Sequence, residues 1–269
     1  MDNYPRKLTE SAATRLTATG LVLIIGFGTS ATAQADEAYA KTLIKNMSDY
    51  MSAQKSLSFS YDTILEVVTK DQQRLALAGS GTVVINRPDK LRNTRNSGFA
   101  DIETVFDGKT LTLLGKGKNI YSQVEVPGTL DHLLDTLRDK YNRPLPGADL
   151  FVSNPQEQLM AGVTDIKDLG SGVMGGIECD HLAFRKKEVD WQIWIAQGDK
   201  PFPCRYSITS KLIAGNPQYS IQISDWKSGD AVAADDFAFK NTTDAKKIEL
   251  KDLPNAEDLP SNFKGGKTQ

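Results

Sequence analysis

Apolar and polar residues alternate at period two through most of this chain, and that pattern limits it to a mainly β architecture. Leu57, Phe59, Tyr61, Leu65 and Val67 alternate with Ser58, Ser60, Asp62 and Glu66. Successive side chains of a strand point to opposite faces, so this is a long strand with one dry side and one wet side. Further strands are expected at 75–86, 90–96, 101–106, 109–115 and 119–126. The second half reads as an antiparallel meander at 162–169, 172–185, 189–197, 203–213 and 217–227, each strand bounded by Gly-, Pro- or Asp-containing turns. There Tyr206, Ile208 and Leu212 alternate with Arg205, Ser207, Thr209 and Lys211, and Tyr219, Ile221 and Ile223 with Ser220, Gln222 and Ser224. Asp107-Gly108 predicts a type I′ hairpin, because this pair readily takes positive φ.

Helical spacing occurs in three places. Tyr39, Leu43, Met47, Tyr50 and Met51, with Ala40 and Ile44, fall on one face and predict an amphipathic helix over 37–53. In mid-chain Thr129 can cap a short helix whose apolar stripe is Leu130, Leu133, Leu134, Leu137 and Tyr141. A second short helix begins at Asn154-Pro155-Gln156-Glu157, with a cap, a proline at the first position and a glutamate able to close a capping box. Between the two, residues 143–151 are expected to be an irregular, proline-cornered loop.

The start of the chain reads as an export signal. Arg6, Lys7 and Arg15 precede the apolar run Leu21-Val22-Leu23-Ile24-Ile25-Gly26-Phe27, and small residues lead to Ala33-Gln34-Ala35. This is the layout of a cleaved signal peptide over 1–35, with cut before Asp36. The run is shorter than the roughly 20 residues of a membrane span, and the absence of Cys at the cut argues against a lipoprotein. Removing 35 of the 269 residues leaves 234, expected to form one domain over 36–250 followed by a disordered tail over 251–269. The remaining chain holds 29 basic against 32 acidic residues, which argues against electrostatic binding of nucleic acid or anionic membrane. The product is expected to lie outside the cytoplasm.

Cys179 and Cys204 are the only cysteines. An oxidising compartment permits their disulfide, with two buried free thiols as the alternative. If their strands flank a third in register, the backbones stand roughly 9 to 10 Å apart, too far to bridge without a bulge or strand end near Gly175-Gly176. Catalysis finds little support. His132 reads as a solvated helix residue beside Asp131 and Asp135, and His181 as a hydrogen-bonded structural residue on a strand. No nucleophile elbow, metal-ligand spacing or phosphate-binding loop is present; Gly79, Gly81, Gly98 and Gly115-Lys116-Gly117 read as bends in a curved sheet. Neither a cofactor nor a metal is expected. Trp191 and Trp194 lie at odd spacing and point to opposite faces.

The order of these elements, ending in a Phe-x-Phe end strand at Phe237 and Phe239, resembles the lipoprotein-carrier superfold of the bacterial periplasm. The segments Glu178–Arg185, Asp190–Ile195 and Pro201–Arg205 are similar to a family of predicted periplasmic proteins with that fold, domain of unknown function 2092. The resemblance implies an α+β, mainly β fold: a strongly curved antiparallel sheet, or half-open barrel, closed by an N-terminal helix and inserted plug helices. A curved sheet so plugged can hold an apolar ligand. Candidate lining residues are Phe59, Tyr61, Val83, Ile85, Leu111 and Leu113 from the first strands and Leu133, Leu134 and Leu137 from the plug. Trp194, Tyr206, Ile208 and Tyr219 complete the set. The expected function is a non-enzymatic periplasmic protein that holds or shuttles a lipid, another hydrophobic small molecule or a lipidated protein. The alternative is an envelope sensor or assembly factor that uses the same groove for a polypeptide.

Overall fold

The computed structural model describes residues 30–145 and 147–253. Three α-helices are found there: α1 (Ser30–Ala53), α2 (Leu130–Asp139) and α3 (Pro155–Met160). The first-half strands are β1 (Ser56–Val68), β2 (Arg74–Asn86), β3 (Lys90–Ser97), β4 (Asp101–Phe106), β5 (Thr110–Gly115) and β6 (Ile120–Glu125). The second-half strands are β7 (Asp165–Met174), β8 (Ile177–Arg185), β9 (Val189–Ala196), β10 (Pro203–Ser210) and β11 (Gln218–Ser228), and a short β12 (Lys246–Lys247) follows. All belong to one sheet in the order β12-β6-β5-β4-β3-β2-β1-β11-β10-β9-β8-β7. Neighbours are antiparallel except β12, which pairs parallel with β6. The two meanders meet where β1 pairs with β11, and β12 and β7 remain as edges, so the sheet is curved but not closed.

Register aligns the inward side chains in rows across the first six strands. Leu57, Ile85, Leu91, Phe106, Leu111 and Val124 stand side by side in the first row. Phe59, Val83, Asn93, Thr104, Leu113 and Ser122 form the second, and Tyr61, Gly81, Arg95, Ile102, Gly115 and Ile120 the third. In β11 a bulge opposite Phe59 interrupts the alternation: Asp225 takes a φ of 52°. The slip brings Trp226 round to stack on Phe59, with ring centroids 5.8 Å apart, and on Phe202 at 5.0 Å.

The two halves of the concave face are filled differently. Over the second half, α1 lies against β7 and α3, and the Tyr50 hydroxyl meets Ser228 Oγ at 3.1 Å and accepts from the Trp226 indole at 3.1 Å. The α1 side chains Ala40, Ile44, Met47 and Met51 are fully enclosed, each of the larger ones contributing on the order of 2 kcal/mol by burial. Below them Trp191 stacks on Phe184 at 3.9 Å and takes Tyr206 edge-on at 5.7 Å. Among the described residues the first half is covered by α2, the loop that follows and the chain end at Leu253, which leaves space.

Several expectations are corrected. The helix expected from 37 is continuous from Ser30; the rest of the proposed signal peptide lies outside the described residues. Asp107-Gly108 is not a type I′ turn: only Gly108 has positive φ, at 89°, while the Asp107 carboxylate accepts from the Lys109 and Thr110 amides and shapes a wider loop. The break expected near 170–171 is a bulge inside β7, where Gly170 has a φ of 80° and its amide donates to Asp168. The hairpin falls instead at Gly175-Gly176, with φ of 58° and 84° at the two turn residues, as a type I′ turn requires. Phe237-x-Phe239 is not a strand. Asp235 and Asp236 accept from the Phe237 and Ala238 amides and Phe237 takes a φ of 49°, which breaks the pleat. The segment is pinned to the sheet instead by Arg92, which donates to Asp235 at 2.7 and 3.2 Å and to Glu103 at 2.5 Å. At the chain end Leu250–Asp252 form a short turn of helix and Leu253 is buried; residues 254–269 of the expected tail lie outside the described residues.

Cys179 on β8 and Cys204 on β10 do flank β9, the arrangement that opposes bridging. The relief comes at Cys204 itself, where the β9–β10 register slips between Pro203 and Arg205. The two buried sulfurs stand 2.7 Å apart, longer than the about 2.05 Å of a disulfide.

Candidate functional site

A cavity of about 340 Å³ lies between the first half of the concave face and α2 with its loop. Its walls are strand residues of the aligned rows: Phe59, Tyr61 and Thr63 of β1, Val83 and Ile85 of β2, Leu91, Asn93 and Arg95 of β3, Ile102 and Thr104 of β4, and Leu113 of β5. Tyr219 and Ile221 of β11 continue the wall past the seam, and Leu253 contributes from the chain end. The roof is Leu130, Leu134 and Leu137 of α2 with the loop residues Asn142–Leu145, Gly147, Ala148 and Phe151.

Local chemistry fixes the roof. Thr129 caps α2 by accepting from the His132 amide at 3.3 Å, and the Leu130 amide donates to the Pro88 carbonyl at 2.8 Å, which ties the helix start to the β2–β3 turn. The Asp131 carboxylate accepts from the Ser153 amide at 3.0 Å. Asn154 caps α3 through the Glu157 amide and donates to the Glu157 carboxylate at 2.9 Å. Phe151 stacks on Phe59 at 4.9 Å, and Arg143 donates to the Leu250 carbonyl at 3.1 Å and to that of Leu253.

The cavity is apolar at one end and polar at the other. At the polar end the Tyr61 hydroxyl donates to Asn93 Oδ1 at 3.1 Å and to the Thr94 carbonyl at 2.9 Å. Burial pushes the Tyr61 phenol up to about 12, against the opposing pull of the Arg95 charge and the Asn93 hydrogen bond. Among the described residues of the lining, Arg95 and Arg143 are the charged side chains. Behind the loop the Tyr206 hydroxyl donates to the Asp149 carboxylate at 3.2 Å, and burial raises that carboxyl above its ordinary range.

Of the thirteen expected lining residues, the structure brings together Phe59, Tyr61, Val83, Ile85, Leu113, Leu134, Leu137 and Tyr219. Leu111 and Leu133 are packed completely into the core; on α2, Leu134 and Leu137 meet the cavity while Leu133 does not. Tyr206 belongs to the filled half under Trp191, and Ile208 packs against the same core. Trp194 is on the convex face, since the buried Trp191, Ile193 and Ile195 take the concave parity of β9. There its ring stacks on His181 at 4.0 Å with the Arg205 guanidinium 5.5 Å from its centre. Sequence reasoning missed Asn93 and Arg95. Their parity with Leu91 on β3 was the available signal, obscured because a polar residue in an alternating strand is ordinarily read as solvent-facing.

The histidines sit as expected, His132 exposed on α2 and His181 bonded to Gln192 at 2.9 Å. Among the described residues no three of His, Cys, Asp and Glu converge as a metal site, and no helix is long and apolar enough to cross a membrane. The arrangement is a vessel with largely hydrocarbon walls and two arginines in its lining.

A family profile described as "Predicted periplasmic protein (DUF2092)" matches residues 40–251. No curated protein matches the chain. Among solved structures, the lipoprotein LppX of Mycobacterium tuberculosis is similar at 16% identity, over 74% of this chain and 100% of that one, with a TM-score of 0.40. LprF of Mycobacterium bovis is similar at 13% identity, over 75% of this chain and 98% of that one, with a TM-score of 0.44. MucB in the MucA/MucB complex of Pseudomonas aeruginosa is similar at 14% identity, over 75% of this chain and 61% of that one, with a TM-score of 0.42.

Proposed function

We propose that this chain, which belongs to the DUF2092 family of predicted periplasmic proteins, is a non-enzymatic binding protein that holds or shuttles a lipid or other apolar molecule in its cup. One observation carries the reading: a cavity of about 340 Å³, within the size range of small-molecule sites, lies on one half of a sheet whose other half is covered by α1. Apolar surface exposed in a cup is unfavourable by roughly 25 cal/mol per Å², so an apolar occupant gains what the missing core would have gained. Phe59, Tyr61, Val83, Ile85, Leu113, Leu134, Leu137 and Tyr219 are the contact residues of this proposal. Export through cleavage before Asp36, and a Cys179–Cys204 disulfide in the oxidising compartment, belong to the same reading.

Native mass spectrometry of gently purified exported protein tests it. A co-purified lipid at a stoichiometry near one is the expected result. Protein stripped of lipid is expected to take up one equivalent of a fatty acyl probe. A stoichiometric polypeptide in place of lipid, with no uptake of the probe, overturns the reading in favour of a protein-interaction module.

A further inference from the structure

The inward rows of the sheet do not stop at the cavity. Beyond the third row β1 and β2 stay paired as far as Val68 opposite Arg74, whereas β3 ends at Ser97 opposite Gly79 and β11 pairs with β1 no further than Tyr219 opposite Leu65. The pairs from Ile64–Ala78 to Val68–Arg74 therefore project past β3 as a two-stranded arm about 15 Å long. Its inward parity continues that of Phe59, Tyr61 and Thr63. Leu65 opposite Leu77 forms a fifth row and Val67 opposite Leu75 a sixth, each about 7 Å beyond the last. All four are half-buried, while Arg74, Ala76 and Ala78 on the other parity of β2 are exposed. None of the four belongs to the packed core or rests against it. The arm is held from its outward side: Arg74 donates to the Gly215 carbonyl at 2.6 Å and lies 3.6 Å from the Glu66 carboxylate, which accepts from the Gln218 amide at 2.9 Å. Val68 lies against Gly215, where a Cβ would stand 3.0 Å from it. The cavity leads to the inward side. Between Val83 and Leu77, β2 presents only Gly81 and Gly79 inward, so that strand raises no side chain between cavity and arm. Thr63 donates its hydroxyl to the Gly79 carbonyl at 3.2 Å, and Tyr219 of the cavity wall stands directly opposite Leu65.

Size decides what such a path can take. A cavity of about 340 Å³ has room for about 11 groups of the size of a water or a methylene, at roughly 30 Å³ each. A longer hydrocarbon chain has to leave it. Resting on the reading of the cup as a ligand site, we propose that the inward face of the arm is a second subsite and that the occupant is one long, unbranched acyl chain. Part of the chain fills the cavity, and the remainder lies along Leu65, Leu77, Val67 and Leu75. The strip is two strands wide, with about 5 Å between backbones, so it seats one chain rather than two. A compact ligand contained by the cavity leaves the four side chains partly in water, at roughly 25 cal/mol per Å² of apolar surface. An extended chain covers them. Because a two-stranded ribbon is marginal on its own, covering its apolar side also steadies the arm.

The test is displacement of the dye N-phenylnaphthylamine from purified protein by saturated fatty acids from octanoate to stearate, each kept below the concentration at which it forms micelles. In the natural protein affinity is expected to rise about fourfold per methylene through laurate and on to stearate. In the double variant Leu65→Gln with Leu77→Gln the rise is expected to halt near laurate. The shorter acids and the dye stay bound as before, which also shows that the variant is folded. Val67→Gln, further along the arm, is expected to trim only the gain of the longest acids, and it serves alone if the double variant does not fold. Ala78→Gln, on the outward parity of β2, is expected to leave the whole series unchanged. A rise that ends near laurate in the natural protein, or one that continues to stearate in the variants of the inward face, overturns the subsite and leaves the cup reading standing. Failure of the dye and of every acid to bind overturns the cup reading and the subsite with it.

Discussion

Gly81 has no room for a side chain: a Cβ built there stands 1.9 Å from the Thr94 carbonyl oxygen and 2.6 Å from the Tyr61 hydroxyl. Because one of those atoms is backbone, relief requires the strand to move. Gly81→Ala is expected to lower stability by about 3 kcal/mol in a denaturant titration, whereas Gly98→Ala, which meets nothing within 4 Å, is expected to change it little. At Asp149 the raised carboxyl means that the folded state favours the protonated form. The sign then follows: its contribution is present below the ordinary carboxylate value and is lost as pH rises through the raised one. An Asp149→Asn variant is expected to gain stability relative to the natural protein as pH rises from about 4, measured by unfolding at several pH values; a difference independent of pH refutes it. Tyr206 and Lys186 are the charged or titratable neighbours that shape the slope. For the cysteines, protein from an oxidising compartment, denatured without reduction, is expected to show almost no thiol to an alkylating label. Cys204→Ser is expected to lower stability by about 3 kcal/mol, the entropy of a closed loop of this length. Two labelled thiols refute the pairing. That Cys179 and Cys204 flank one strand was legible from the turns between them; the register slip at Cys204 was not, because Pro203-Cys204 carries no sequence mark of a bulge.

At the scale of elements, α2 is the roof whose faces can be tested one against another. Leu134→Asp puts a charge into the cavity and is expected to weaken binding of a fatty acyl probe by several kcal/mol through desolvation. Asp135→Ala, on the exposed side of the same helix, is expected to leave binding and stability nearly unchanged; saturable binding that survives Leu134→Asp in folded protein removes α2 from the site. The sequence carried the elements unevenly. The caps at Thr129 and Asn154 were readable because one side chain and one amide make each of them. The β7 bulge at Gly170 was read as a strand break, whereas Gly175-Gly176 was read as a bulge or strand end and is the strand end, since a glycine signals either. Which face is concave is decided by the sense of sheet curvature and by what α1 covers. For that reason Trp194 was assigned to the cup although its parity belongs outside, and Leu133 was assigned to it although a neighbour one position on faces the space.

At the scale of the molecule, one sheet serves two purposes, a packed half under α1 and an open half under α2, joined along β1 and β11. The seam is the longest-range pairing in the sheet, with Ser60 opposite Ser224 and Tyr61 opposite Ile223. Such non-local pairing is slow to form, so refolding is expected in milliseconds to seconds. Fluorescence from Trp191 in the packed half and from Trp226 at the seam, read in single-tryptophan variants, is expected to rise together; a seam signal that precedes the packed half refutes the two-halves description. The same seam sets an order in time. A chain made N-terminus first presents β1 early and β11 among the last of its strands, and until then the long strand from Ser56 to Val68 lacks its partner on one side. The cup therefore cannot close until Gln218–Ser228 is available to pair, whichever part of the chain forms first.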